Sequence, residues 1–206
     1  MTNETYDKSR VINFSDAVFS IVMTLLILEV AVPTSIELTQ KPFGEVLSSR
    51  IPAFIGLLVS FLVSALYWIG HIKLMRYVSL VSGKLLWLNV FFLLSIVVLP
   101  FSTAMYVNGF GYAGPFIFYC ANLGIIGFFN LWMVHYVYHT ENHKTGFDRL
   151  QYRWYRARGL NVMIIWIVAA FVALAFPWLS RMIFILLFVF QFIIDRRFKK
   201  KLKAQG

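Results

Sequence analysis

The chain reads as an all-α integral membrane protein with six transmembrane helices, and three observations predict this. Of its 206 residues 60% are hydrophobic and only 14% charged, and the mean hydropathy of +0.73 exceeds that of a chain with a wetted globular surface. No Asp, Glu, Lys or Arg lies between Lys84 and Glu141, or between Gly159 and Ser180, so several segments reach the roughly 20 apolar residues a spanning helix needs. The basic residues cluster at alternate ends of the apolar runs, as topology requires.

Hydropathy places the spans at residues 11–32, 51–73, 85–107, 112–138, 159–176 and 179–195. The first begins beyond Arg10 and ends before Pro33, and with Pro42 that residue punctuates the first outer loop. Gly109 and Gly111 mark the second outer turn, and Pro177 opens the sixth span near a helix start, where a missing N–H costs little. Short outer turns are expected. The polar interruption at about 140–158 is basic and rich in Tyr and Trp, which predicts a cytosolic segment lying along the headgroups. Together these elements make one six-helix domain over residues 1–206, with no internal repeat.

An even number of spans puts both termini on one side. Placing them in the cytosol assigns 16 of the 19 Lys and Arg residues to the inside and leaves Lys41, Arg50 and Arg181 outside. The net charge of +10 is thereby a matter of topology rather than of nucleic-acid binding. The basic tail 196–206 doubles as a stop-transfer anchor and an attraction for anionic lipid. The first ten residues carry acids as well as bases, and Glu29 interrupts the apolar run, so a cleaved signal peptide is not expected. Cys120 is the single cysteine, which excludes an intramolecular disulfide and a thiolate metal cluster.

Ionisable groups at membrane depth cost roughly 2.5–3.5 kcal/mol on insertion scales, so they usually face a bundle interior or an aqueous path. Here they are Asp16, His71 and His135, with Glu29 near the outer boundary. At 100° per residue Phe14, Ala17, Ile21, Leu25 and Leu28 fall within about 40° of one line, whereas Asp16 points about 140° from Ile21. The first helix therefore has two working faces. The apolar stripe faces lipid or a neighbour, and Asp16 faces a partner in the bundle. Thr24, with Ala17 and Ser20 nearby, favours a protein-facing stripe, since lipid-facing surfaces carry longer side chains. Arg10 lies about 120° from Asp16 on an ideal helix, so a direct ion pair is not expected and headgroup anchoring is the alternative. His135 and His139 have the four-residue spacing of a metal pair but lack further ligands; interfacial packing is the plainer reading, and Glu141 with His143 keeps a surface metal site open.

The first helix, Arg10-x-x-x-Phe14-Ser15-Asp16 followed by Ala-Val-Phe-Ser-Ile-Val-Met-Thr-Leu-Leu-Ile-Leu-Glu29, resembles the signature helix of the transmembrane protein 175 family of potassium channels. Ser60-Phe61, Trp68-Ile-Gly-His71, Leu86-Trp-Leu-Asn89 and Leu99-Pro-Phe-Ser-Thr103 continue the likeness over residues 10–105, and the later spans match only in hydropathy and topology. The resemblance implies a prokaryotic plasma-membrane protein with one six-helix repeat per chain, assembled as a homotetramer whose first helices line a central pore. It implies potassium permeation without a carbonyl filter loop and without a cofactor. The implied constriction is Ile21, Leu25 and Leu28, with Thr24 as a polar pore-lining layer. Ser15 and Asp16 are implied to brace the first helix against the next two through Trp68, His71 and Asn89. Ala17 departs from the glycine that many bacterial members carry, which alters close packing beside the pore.

A channel is thus the leading expectation, with gating by wetting and dewetting of an apolar neck. The alternative is a proton-coupled carrier or intramembrane enzyme using Asp16 and His71 as an acid/base pair. The sequence offers that alternative no nucleophile motif and no second inverted half.

Overall fold

Helix breaks fall where the sequence removes donors or adds turn residues, and they divide the chain into nine α-helices among the described residues. The computed structural model describes the backbone of residues 4–203 and, within that range, the side chains of all but 141–145, 199 and 201–203. In order the helices are α1 (Lys8–Leu25), α2 (Ser35–Gln40), α3 (Phe43–Ser49), α4 (Ile51–Met75), α5 (Gly83–Val97), α6 (Leu99–Asn108), α7 (Ala113–Thr145), α8 (Arg149–Ala175) and α9 (Pro177–Lys203). A 3-10 turn, Leu26–Glu29, continues α1, and two short strands, β1 (Thr5–Tyr6) and β2 (Val81–Ser82), pair antiparallel.

Six helical segments are long and apolar enough to cross a membrane: Lys8–Glu29, Ile51–Met75, Gly83–Asn108, Ala113–Thr140, Arg149–Ala175 and Pro177–Phe198. The protein is a multi-pass, mostly helical membrane protein. The third span bends at Val98, between α5 and α6. Pro100, which is buried, has no N–H to give to the preceding turn, and this is a sufficient cause of the bend.

The polar stretch at 140–158 is mostly helical: α7 runs on to Thr145, Gly146 ends it at φ 71° in the left-handed region, and α8 starts at Arg149 with the Asp148 side chain accepting from the Gln151 N–H at 2.6 Å. Basic residues favour helix as much as apolar ones do, so hydropathy marked the edge of the lipid rather than the end of the helix. The connection between the first two spans, residues 33–50, is not a plain turn, because it folds into α2 and α3. Thr34 and Glu37 form a capping box on α2, and Arg50 closes the loop with an ion pair to Glu37 at 2.9 Å and a bond to the Ala31 carbonyl at 3.1 Å.

The core lies between α4–α6 and the α7–α8 hairpin, with α9 packed on α8. Trp166, Tyr119, Leu123, Ile126 and Ala169 are almost wholly enclosed there. Gly159 permits the close approach of α8 to α7, since a Cβ at this position would lie 2.4 Å from Leu131 Cδ2.

Candidate functional site

α1 is fixed at its N-terminal start and along one face. Its N-cap, Asp7, accepts from the Ser9 N–H at 2.7 Å, and that bond to Ser9, led by the Ser9 hydroxyl, holds the Asp7 carboxyl below its ordinary pKa. The pairing of Thr5 with Ser82 and Tyr6 with Val81 ties the same end to the start of α5. Val11, Ser15, Phe19 and Val22, with Leu26 in the 3-10 turn, form the buried face. Their spacing of three or four residues is that of one helix side.

The opposite side is open. Ile21 is 58% exposed, Leu25 42% and Leu28 72%, and Phe14, Ala17, Ser20 and Thr24 lie exposed on the same side. Leu28 falls in the 3-10 turn, where residues three apart eclipse, so it stands in line with Leu25 rather than rotated away from it. The hydroxyls of this face fold back on their own helix: Ser20 bonds the Asp16 carbonyl at 2.8 Å, and Thr24 bonds the Ile21 carbonyl at 2.8 Å. Thr24 thus keeps its oxygen lone pairs on the open side. Asn13, exposed four residues before Ala17, extends the polar part of this face, and the sequence reading passed over it. Its signal was the same helical spacing.

On the buried side the expected bracing residues meet in two groups. Trp68 Nε1–H donates to Asp16 at 2.8 Å, which links α1 to α4. Separately, Asn89 on α5 donates to the Ser15 hydroxyl at 3.0 Å and its carbonyl oxygen meets His71 Nε2 at 2.8 Å; Ser15 in turn donates to the Val11 carbonyl. Ser15, His71 and Asn89 are at most 2% exposed. The His71 ring stacks on Phe92 at 5.8 Å and lies 6.2 Å from Phe19, so a polar triad is sealed inside an aromatic shell. His71 Nδ1 is buried without a hydrogen-bond partner among the described residues.

Arg10 stays apart from these groups. It is exposed at the start of α1, and the ion pairs among the described residues do not include it. His135 and His139 are exposed with ring centroids 4.3 Å apart, and His135 Nδ1 lies 3.2 Å from the Tyr152 hydroxyl. Among the described residues no three His, Cys, Asp or Glu gather as metal ligands. The side chains of Glu141 and His143 lie outside the described residues.

A further polar layer was not anticipated. Ser60 on α4 bonds Thr103 on α6 at 2.8 Å and Tyr119 on α7 at 3.0 Å, and Asn122 bonds the Ser95 carbonyl and the Ser102 hydroxyl at 3.0 Å each. These groups pin the bent third span, whose loosened backbone would otherwise leave polar groups unmet in an apolar bundle.

Residues 10–100, which hold α1, the polar triad and the Asp16–Trp68 link, match the family model described as endosomal/lysosomal potassium channel TMEM175. Over this stretch the chain is similar to the TMEM175 family. A protein named potassium channel from Streptomyces collinus is 37% identical over 101 residues, covering 48% of this chain and 47% of that one. A second, from Chryseobacterium, is 31% identical over 96 residues, covering 47% of each. The mouse protein named endosomal/lysosomal proton channel TMEM175 is 28% identical over 138 residues, 66% of this chain and 27% of its own length. The chain thus spans about half the length of these bacterial relatives or less. Beyond the matched stretch the fold carries the likeness: the crystal structure of a TMEM175 homologue from Chamaesiphon minutus superposes with a TM-score of 0.67 at 22% identity, covering 93% of this chain and 97% of that one. The structure of MtTMEM175 does so with a TM-score of 0.64 at 16% identity, covering 97% of each chain.

Proposed function

We propose that the protein is a potassium-permeable channel of a prokaryotic plasma membrane, a homotetramer in which four copies of α1 surround the pore. The observation that carries this reading is the open face of α1: an apolar line of Ile21, Leu25 and Leu28 beside Ala17, Ser20 and Thr24, lying inside the segment that matches TMEM175. One chain leaves that line unenclosed, and a ring of copies closes it into a neck. Small and hydroxylated residues suit a helix that meets other helices or water, and a lipid-facing surface has no use for them.

In this reading Ile21, with Leu25 and Leu28, forms the constriction, and Thr24 supplies a polar layer beside it. Conduction follows hydration of the neck, since an apolar constriction of this kind gates by dewetting. Asp16 and the Ser15–Asn89–His71 triad stand on the far side of α1 and hold it at a fixed distance from the axis. Asp16 bonds Trp68 while His71 bonds Asn89, so the two do not pair with each other as an acid/base couple would, which favours a channel over a catalyst.

Purified protein in liposomes carrying a potassium gradient tests the proposal. Potassium-dependent dye quenching above that of empty liposomes is expected, and its absence from correctly inserted protein would remove the reading. Because vertebrate relatives carry the name proton channel, a proton-gradient arm without potassium distinguishes which cation permeates.

A further inference from the structure

On the cytosolic side of the subunit, away from α1, a cleft separates α4 from the α8–α9 hairpin, whose helices pack closely on each other and little on α4. Its deep end is apolar, with Val63 and Leu66 on α4 facing Val162 and Leu187. Gly70 lies along the cleft, and a Cβ there would meet nothing within 4 Å, so the space is open. The mouth is polar and holds Lys73, Gln151, Trp154, Arg158 and Asp195. From Val63 to Lys73 is ten residues, about 15 Å of helix, or roughly half of a 30 Å hydrocarbon core. The cleft is one leaflet deep.

The mouth has a specific unmet chemistry. Arg158 and Asp195 satisfy each other at 2.6 Å, and Trp154 Nε1–H adds a bond to Asp195 at 3.0 Å. Lys73 is exposed beside them and takes part in no ion pair among the described residues, which leaves one positive charge at the entrance. Gln151 Oε1 is buried at the same mouth without a hydrogen-bond partner. A cation beside an unmet acceptor calls for an anion that also carries a hydroxyl.

We propose that this cleft is a binding site for an anionic phospholipid with a hydroxylated headgroup, of the phosphatidylglycerol kind. The phosphate sits at Lys73, a headgroup hydroxyl donates to Gln151 Oε1, and an acyl chain fills the space beside Gly70, Leu66 and Val162. The site is distinct from the basic tail and independent of whether the protein conducts potassium.

Native mass spectrometry of the detergent-purified protein, titrated with phosphatidylglycerol or with phosphatidylcholine of the same chains, tests it. Phosphatidylglycerol is expected to be retained more tightly, with Lys73→Gln weakening half-saturation about five-fold, the effect of one basic side chain near an anionic surface. Gly70→Leu fills the cleft without touching the charge and is expected to remove the same bound lipid. Neutralising Lys199, Lys200, Lys201 and Lys203 together is expected to leave it in place. Equal retention of the two lipids, displacement by inorganic phosphate, wild-type retention in Lys73→Gln, or wild-type retention in Gly70→Leu would each overturn the proposal. Should Gly70→Leu fail to fold, Lys73→Gln decides alone.

Discussion

Asp16 and Trp68 are joined by a 2.8 Å hydrogen bond from the indole N–H to the carboxylate, which links α1 and α4 within two membrane-spanning segments. The bond accounts for an acid inside an otherwise apolar helix: Asp16 is aimed at a neighbour, opposite the open stripe of Ile21. A donor met in an apolar setting is worth more in what its loss would leave unpaired than in its own net strength.

Removing that carboxylate should show first in assembly. Asp16→Ala leaves the Trp68 N–H unmet and is expected to lower stability by about 1–3 kcal/mol, read as a lower melting temperature and a smaller oligomer peak on size exclusion. Asp16→Asn keeps an acceptor and should recover most of the peak. A full oligomer peak for Asp16→Asn together with a collapsed potassium-to-sodium permeability ratio would instead put the carboxylate in the ion path.

The Ser15–Asn89–His71 triad should behave as a unit separate from Asp16–Trp68. Asn89→Ala and His71→Ala each break the same chain of bonds, so their combined cost should fall short of the sum by about 0.5–3 kcal/mol, the usual size of coupling between residues in one network. Asp16→Ala with Asn89→Ala should come closer to additive, because among the described residues no hydrogen bond joins the two groups. Melting temperatures of the two double-mutant cycles decide this, and additivity within the triad would contradict it.

At the neck proposed for Ile21, Ile21→Asn should raise potassium flux and admit larger monovalent cations such as caesium, with selectivity falling, because a polar ring wets more readily than an apolar one. Flux is measured in the same liposomes as for wild type. Wild-type flux in Ile21→Asn beside strongly altered flux in Leu25→Asn or Leu28→Asn would move the constriction outward along the helix.

The outer loop carries an acid sensitivity of known sign. Bonds from the Thr34 backbone first, and from Arg50 second, hold Glu37 below its ordinary pKa of 4.5. A depressed carboxyl pKa contributes stability that is present above that ordinary value and is lost as pH falls through the folded one. Protection of α2 and α3 from limited proteolysis should therefore hold at neutral pH and decline below about pH 4.5, and Glu37→Gln should remove most of that pH dependence. Unchanged protection across that range would dismiss the role of the ion pair.

The fold class, the six spans and their order were legible in the sequence because lipid imposes a length and a composition on every crossing, and both are one-dimensional quantities. The two faces of α1 were legible for a related reason: a regular helix converts spacing into direction, so Ile21, Leu25 and Asp16 could be oriented by arithmetic. Direction does not name a partner. That Asp16 takes Trp68 while Ser15 takes Asn89 and His71 depends on how far α4 and α5 are shifted along α1, and no periodicity carries that shift. The same holds for the pairing of Arg158 with Asp195, the only acid after Asp148, and for the contact of Ser60 with Thr103 and Tyr119 across the bend at Val98. Helix ends beyond the lipid were hidden too, since the Arg149–Arg158 stretch is as good a helix former as the apolar run it precedes. The sequence determined what must be buried in lipid and on which side of each helix; packing in three dimensions decided which polar groups meet, because an unmet donor in an apolar bundle is costly enough to select one register among the several that hydrophobic burial allows.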